Sequence, residues 1–139
     1  MMLTMYLKRM ATVVAAMSAL ASVVACSDDD PATPAQANEA VYPRSVNIEY
    51  KVTSSSGLTT ADIIYWNDTG GQDSKSAVAL PFSLTFQRSV DKFDSVAVSP
   101  TSNVGGSLTA EILVDGNSVK KETYSGDKVA TGTTVYVFQ

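Results

Sequence analysis

A two-residue alternation of apolar and polar side chains begins at Val46 and returns in short runs to the end of the chain. The first run is the clearest, because the apolar residues at 46, 48, 50 and 52 are each separated by a polar one. This period is typical of half-buried β-strands, whose successive side chains point to opposite faces of a sheet. The runs cover residues 46–53, 61–66, 77–80, 82–87, 95–98, 108–114, 119–124 and 133–138.

Turn signals separate these runs. Asp115-Gly116 is typical of a two-residue hairpin, and glycines at 57, 70 and 71 allow the positive φ that tight turns need. Pro81 cannot donate to a strand ladder, so we expect it at a strand start or an edge. Tight turns favour antiparallel pairing, because parallel strands need long crossovers. The sequence therefore predicts an all-β fold, an antiparallel sandwich of about seven strands, with an open barrel as the alternative.

The N-terminal segment has the pattern of a lipoprotein signal peptide. Lys8 and Arg9 precede an apolar run from Met10 to Ala25, and Cys26 follows small residues. A permanent anchor is the competing interpretation, but this run is shorter than the roughly 20 residues of a spanning helix. We therefore predict a signal peptide over 1–25, a lipidated flexible tether over 26–44 with lipid on Cys26, and a β-sandwich domain over 45–139.

Composition excludes several functions. The chain has 10 basic and 14 acidic residues, a net charge of −4, so an interaction with nucleic acid is not expected. It has no histidine and a single cysteine, and these side chains supply most neutral-pH nucleophiles, bases and zinc ligands. We predict a non-catalytic protein without cofactor or metal. An enzyme that uses only carboxylates remains an alternative.

Several short stretches occur in a characteristic order along the sandwich region. They are Tyr50-Lys51-Val52-Thr53, Ala61-Asp62-Ile63-Ile64-Tyr65, Leu80-Pro81-Phe82, Gly106-Ser107-Leu108-Thr109-Ala110-Glu111-Ile112, Val114-Asp115-Gly116 and Ser125-Gly126. This series resembles the MmpS family of small membrane-anchored proteins. The resemblance implies an immunoglobulin-like β-sandwich and an accessory role beside MmpL-type transporters of the RND class, which export lipids and siderophores across the mycobacterial envelope.

A second resemblance concerns location. Cys26-Ser27-Asp28-Asp29-Asp30 is similar to the start of Bacteroidota-type lipoproteins, in which an acidic run after the lipidated cysteine accompanies display on the cell surface. This similarity implies a cell-envelope protein, lipid-anchored to a membrane at the outer membrane or cell surface. The alternative is that the acidic run is only a solvated spacer.

Tyr65 and Trp66 are the candidate ligand-binding residues. Because adjacent strand residues face opposite sides, one of the two rings should point outward. We expect Trp66 to fill the core, as strand tryptophans of immunoglobulin-like domains do. Aspartates at 68, 73, 91 and 94 could gather a calcium ion, although turn chemistry explains them better.

Two functions follow from these features. The first is an accessory subunit that docks on a membrane transport complex, with the membrane itself contacted through lipid on Cys26. The second is a surface glycan-binding module, which would need an outward aromatic ring from Trp66 or Tyr65.

Overall fold

In a computed structural model, residues 39–139 are described and form nine antiparallel strands in two sheets. No helix in this part of the chain is long and apolar enough to span a membrane. The predicted signal peptide, Cys26 and residues 27–38 of the predicted tether lie outside the described residues. The strands are β1 Arg44–Ser54, β2 Thr60–Trp66, β3 Gln72–Ala79, β4 Phe82–Val90, β5 Ser95–Ser102, β6 Gly106–Val114, β7 Asn117–Gly126, β8 Ala130–Thr131 and β9 Thr134–Val137.

A four-stranded sheet has the order β4-β1-β6-β7. β1 lies at its centre, antiparallel to β4 from Arg44↔Val90 to Val52↔Phe82, and to β6 from Ile48↔Val114 to Ser54↔Leu108. The alternation in β1 is reproduced as burial, since its apolar residues are almost fully inaccessible. β6 and β7 form the hairpin predicted at Asp115-Gly116.

A five-stranded sheet has the order β3-β2-β5, and the far edge of β5 is shared by two short strands. β9 pairs with the first half of β5 and β8 with its end. Consecutive strands β1 and β2 belong to different sheets, so the chain crosses between layers early. The predicted antiparallel sandwich is confirmed.

The core lies between the two sheets and is built without a disulfide in the described residues. Tyr50 of β1 is at its centre, with ring centroids 6.1 Å from Tyr65 and 5.5 Å from Phe86. Branched aliphatic residues surround these rings, as expected for strands that pack by side-chain fit. Tyr42 also packs against this core.

Two strands differ from the prediction. The third begins at Gln72 and not at Ala77, and the two-residue β8 was not expected. β3 is an edge strand whose side chains are almost all exposed, so no alternation marks its first half. β1 begins at Arg44, one residue before the expected start of the domain at 45.

Candidate functional site

The outer faces of the two sheets differ in chemistry. On the four-stranded sheet, Lys51 pairs with Glu49 at 3.5 Å and Lys121 with Glu111 at 3.7 Å. Hydroxyl pairs such as Thr109 and Thr123 at 2.8 Å fill the space between them. This face is polar and largely satisfied by its own contacts, as a solvated sheet surface should be.

Part of the outer face of the five-stranded sheet is apolar. We call Ile64, Trp66, Ala97, Val135 and Val137 the Trp66 face. Ile64, Val135 and Val137 are 47 %, 40 % and 42 % exposed, respectively, and Trp66 is half-buried. Pairing across the sheet brings these residues together, because β5 places Ala97 opposite Val135 and Ser95 opposite Val137. An exposed apolar patch on a strand surface is typical of an interaction site.

The structure reverses the expected positions of the two candidate aromatics. Tyr65 is buried in the core, and Trp66 lies on the outer face, so the prediction that Trp66 fills the core is wrong. The reason is Asp62, which shares a strand side with Ile64 and Trp66. Turning that side inward would bury a carboxylate, whereas Ala61, Ile63 and Tyr65 offer a fully apolar side.

A shallow groove of about 190 Å³ lies beside Trp66. Its polar wall comes from Gln72, Ser99 and Thr133, and its apolar part from the Trp66 face. The Ser99 hydroxyl donates to the Gly132 carbonyl at 2.8 Å and accepts from Thr133 at 3.0 Å, which holds both hydroxyls in place. An aromatic ring beside an amide and hydroxyls can stack on a flat ligand and hydrogen-bond its edge.

Of the four aspartates considered for calcium, Asp94 bonds the backbone of its own turn. The Asp94 carboxylate accepts the Asp91 amide at 3.1 Å and pairs with Arg88 at 3.5 Å. Within residues 39–139, no group of three or more His, Cys, Asp or Glu side chains could hold a metal ion. Turn chemistry therefore accounts for Asp94, whereas Asp73 lies within β3 and not in a loop. The calcium alternative has no support in this part of the chain.

Three side chains with shifted pKa values, Tyr50, Tyr124 and Glu122, make hydrogen bonds within the sandwich. Burial raises the pKa of Tyr50, whose hydroxyl donates to the Trp66 carbonyl at 2.8 Å. Burial also raises the pKa of Tyr124, while a hydrogen bond from Tyr124, followed by one from Lys120, lowers the pKa of Glu122. Tyr124 and Glu122 form one hydrogen-bonded pair on β7, with the two oxygens 2.7 Å apart, whereas Tyr50 lies in the core. Only one of these three groups is a carboxylate.

Sequence reasoning missed Ile64, Val135 and Val137 as site residues. Two signals were present. Asp62 marked the outward side of β2, and the last strand has apolar residues on both sides, with Tyr136 and Phe138 on one and the two valines on the other. A strand with two apolar sides is expected to be covered on both.

Comparison with protein-family models shows a match over most of the chain. The model of a family described as "Mycobacterium membrane protein" matches residues 4–137, almost the whole chain. No curated protein matches.

Proposed function

Because the chain belongs to the Mycobacterium membrane protein family, the MmpS family of membrane-associated accessory proteins, we propose that it is a non-catalytic envelope subunit that docks on a membrane transport complex. The observation that carries this proposal is the Trp66 face, an apolar sheet surface on a domain whose opposite surface is polar. The occupant is an exposed segment of a membrane transport protein.

The chemistry of the Trp66 face suits a protein partner. A tryptophan between branched aliphatic side chains is the composition of interface centres, where aromatics are enriched and charges depleted. Gln72, Ser99 and Thr133 would form part of a polar rim around it. Ala97 is buried at the middle of this face, so the contact area would come from the larger side chains around it.

We further propose that lipid on Cys26 holds the protein to its membrane, with the acidic run after it directing the protein to the outer membrane or cell surface. The segment from Cys26 to the first described residue would then tether the sandwich near a membrane-embedded partner. Tethering raises the effective concentration of the domain, so even a weak docking surface would be occupied.

The docking proposal is tested by crosslinking the tagged full chain in intact cells and identifying the proteins that co-purify. Ile64→Lys and Trp66→Ala should lose a transport component that the unchanged protein captures. Thr85→Lys is the matched control, since Thr85 is an exposed strand residue on the polar outer face of the other sheet. Capture that survives both face variants, or that never includes a transport protein, would contradict the proposal.

Glycan binding is the second candidate, and it is favoured by the outward position of Trp66 beside the Gln72 side chain. Tyr65 takes no part in it, because that ring is buried. The purified full chain would be tested on envelope polysaccharide. Two results together would favour this candidate. Trp66→Ala and Gln72→Ala would both abolish glycan binding, and Ile64→Lys would still capture its protein partner.

A further inference from the structure

Phe93 is an aromatic residue presented to solvent at the tip of the loop between β4 and β5. Its side chain is 72 % exposed, and its backbone φ is 73°. The left-handed region is unfavourable for a bulky residue. Residues in such strained backbone conformations cluster at functional sites. The Lys92 ammonium lies 5.6 Å from the centre of the ring.

The loop is held firmly in this conformation. The Phe93 amide donates to the Phe138 carbonyl at 2.8 Å, and the Phe138 amide donates to the Asp94 carbonyl at 2.9 Å. Asp94 in turn pairs with Arg88, which also donates to the Ser95 carbonyl at 3.1 Å. The exposed ring therefore stands on a fixed base, so its exposure is not the result of a loose loop.

This loop lies at the end of the sandwich where the chain enters from its N-terminal segment. Arg44 opens β1 opposite Val90, the last residue of β4. The Arg44 guanidinium lies 5.6 Å from the Tyr42 ring centre and 5.9 Å from that of Phe138, the residue that binds the Phe93 amide. Val41, 84 % exposed, is next to Tyr42. Two exposed apolar residues thus share the entry end.

In the sequence, a short stretch separates an apolar segment from the first described residue. Between Ala25, where the apolar run stops, and Glu39 there are 13 residues, 26–38. Treated as a random coil, such a length spans about 20 Å, and fully extended it reaches about 45 Å. With the lipid on Cys26 proposed above, 13 residues of this reach would keep the entry end of the sandwich within about 45 Å of the membrane.

We propose that Phe93 inserts into the lipid interface and turns the entry end of the sandwich toward the membrane, with the Lys92 ammonium at the level of the phosphates. Aromatic rings with an adjacent cation are typical of the boundary between headgroups and acyl chains. Of the acidic groups beside this loop, Asp94 pairs with Arg88 and Asp115 with Arg44, whereas Asp91 is exposed and has no ion pair among the described residues. A zwitterionic surface carries no net charge to repel Asp91. This proposal is independent of docking on the Trp66 face and would survive its failure.

Tryptophan reporters test this contact in the full chain reconstituted in phosphatidylcholine vesicles. In a Trp66→Phe background, Phe93→Trp provides a single reporter at the entry end. Val104→Trp is the matched control, because Val104 is exposed in the β5–β6 loop at the opposite end of the sandwich. Lipids brominated near the headgroup should quench the reporter at 93, with a blue shift on vesicle binding, and leave the reporter at 104 unquenched.

A stability measurement separates lipid contact from a structural role. Asparagine tolerates the left-handed region better than phenylalanine, so Phe93→Asn should melt at the same or a higher temperature than the unchanged protein. Near-ultraviolet circular dichroism checks that Phe93→Trp keeps the native packing. Equal quenching at 93 and 104, no quenching at 93, or a lower melting temperature for Phe93→Asn would overturn the proposal.

Discussion

The hydroxyl of Tyr50 links the two sheets from inside the core. It donates to the Trp66 carbonyl at 2.8 Å, beside the last β2–β5 pair, Tyr65↔Val98. A buried carbonyl without a hydrogen-bond partner costs free energy. The Tyr50 phenol supplies that partner to the Trp66 carbonyl, which lies beyond the last residue of β2 that pairs with β5. Burial raises the pKa of Tyr50 because the charged phenolate would be desolvated.

Tyr50→Phe should therefore destabilise the fold by about 1–2 kcal/mol at neutral pH, by loss of this hydrogen bond. The folded-state pKa is raised, so the stability linked to Tyr50 is complete below the unfolded pKa of about 10 and falls as the pH rises above it. Urea unfolding at several alkaline pH values should show the gap between the two proteins narrowing above pH about 10. A constant gap would contradict this account.

Tyr65 and Trp66 are neighbours with opposite roles. Tyr65→Ala removes a core ring that packs against Tyr50 and should cost about 3 kcal/mol or more. Trp66→Ala removes a half-buried ring and should cost about 1 kcal/mol, because solvent already reaches that side. Denaturant unfolding of both variants checks the order. A larger loss for Trp66→Ala would return Trp66 to a core role.

Among the strands, β3 pairs with β2 through the backbone, and a side chain of β2 adds a hydrogen bond where that pairing is irregular. The Asp62 carboxylate accepts the Ala77 amide at 2.8 Å, where the β2–β3 register shifts and Ala77 has a φ of 50°. An irregularity of this kind bends and twists an edge strand and discourages further strand addition.

Asp62→Ala should loosen β3 and destabilise the fold by about 1 kcal/mol, because the Ala77 amide loses its acceptor. Asp62→Asn keeps an acceptor oxygen and should remain close to the unchanged protein. Ala77→Gly should be neutral or slightly stabilising, since glycine adopts this φ without strain. Hydrogen exchange of the β3 amides, measured together with unfolding, checks this account. If these amides were as protected in Asp62→Ala as in the unchanged protein, the account would be contradicted.

For the molecule as a whole, we propose that the N-terminal segment anchors the protein to its membrane and that the sandwich docks on a partner. Cys26→Ser should abolish incorporation of labelled palmitate in growing cells, because the thiol is the proposed acceptor of lipid. The folded domain should keep its unfolding midpoint, since Cys26 precedes the described sandwich. Palmitate that still labels the variant would show that Cys26 is not the lipidated residue.

Strand content was predictable where one side of a strand is buried. β1, β4 and β6 alternate clearly, and the Asp115-Gly116 hairpin was visible from two residues. β3 was predicted too short because an exposed edge strand needs no apolar side. β8, with two residues, is held by the pairing of Thr101 with Thr131 and carries no local signal of its own.

Three features can be read from the residues alone: the alternation within strands, the positions of the turns, and an apolar segment that ends at Ala25, before the domain. These are local properties, set by the period of a strand and by the backbone preferences of glycine and proline. The folded sandwich was needed to show that one surface contains Ile64, Trp66, Val135 and Val137, and that Phe93 lies at the entry end. Such neighbours come from distant strands, and their register follows from packing the whole core at once.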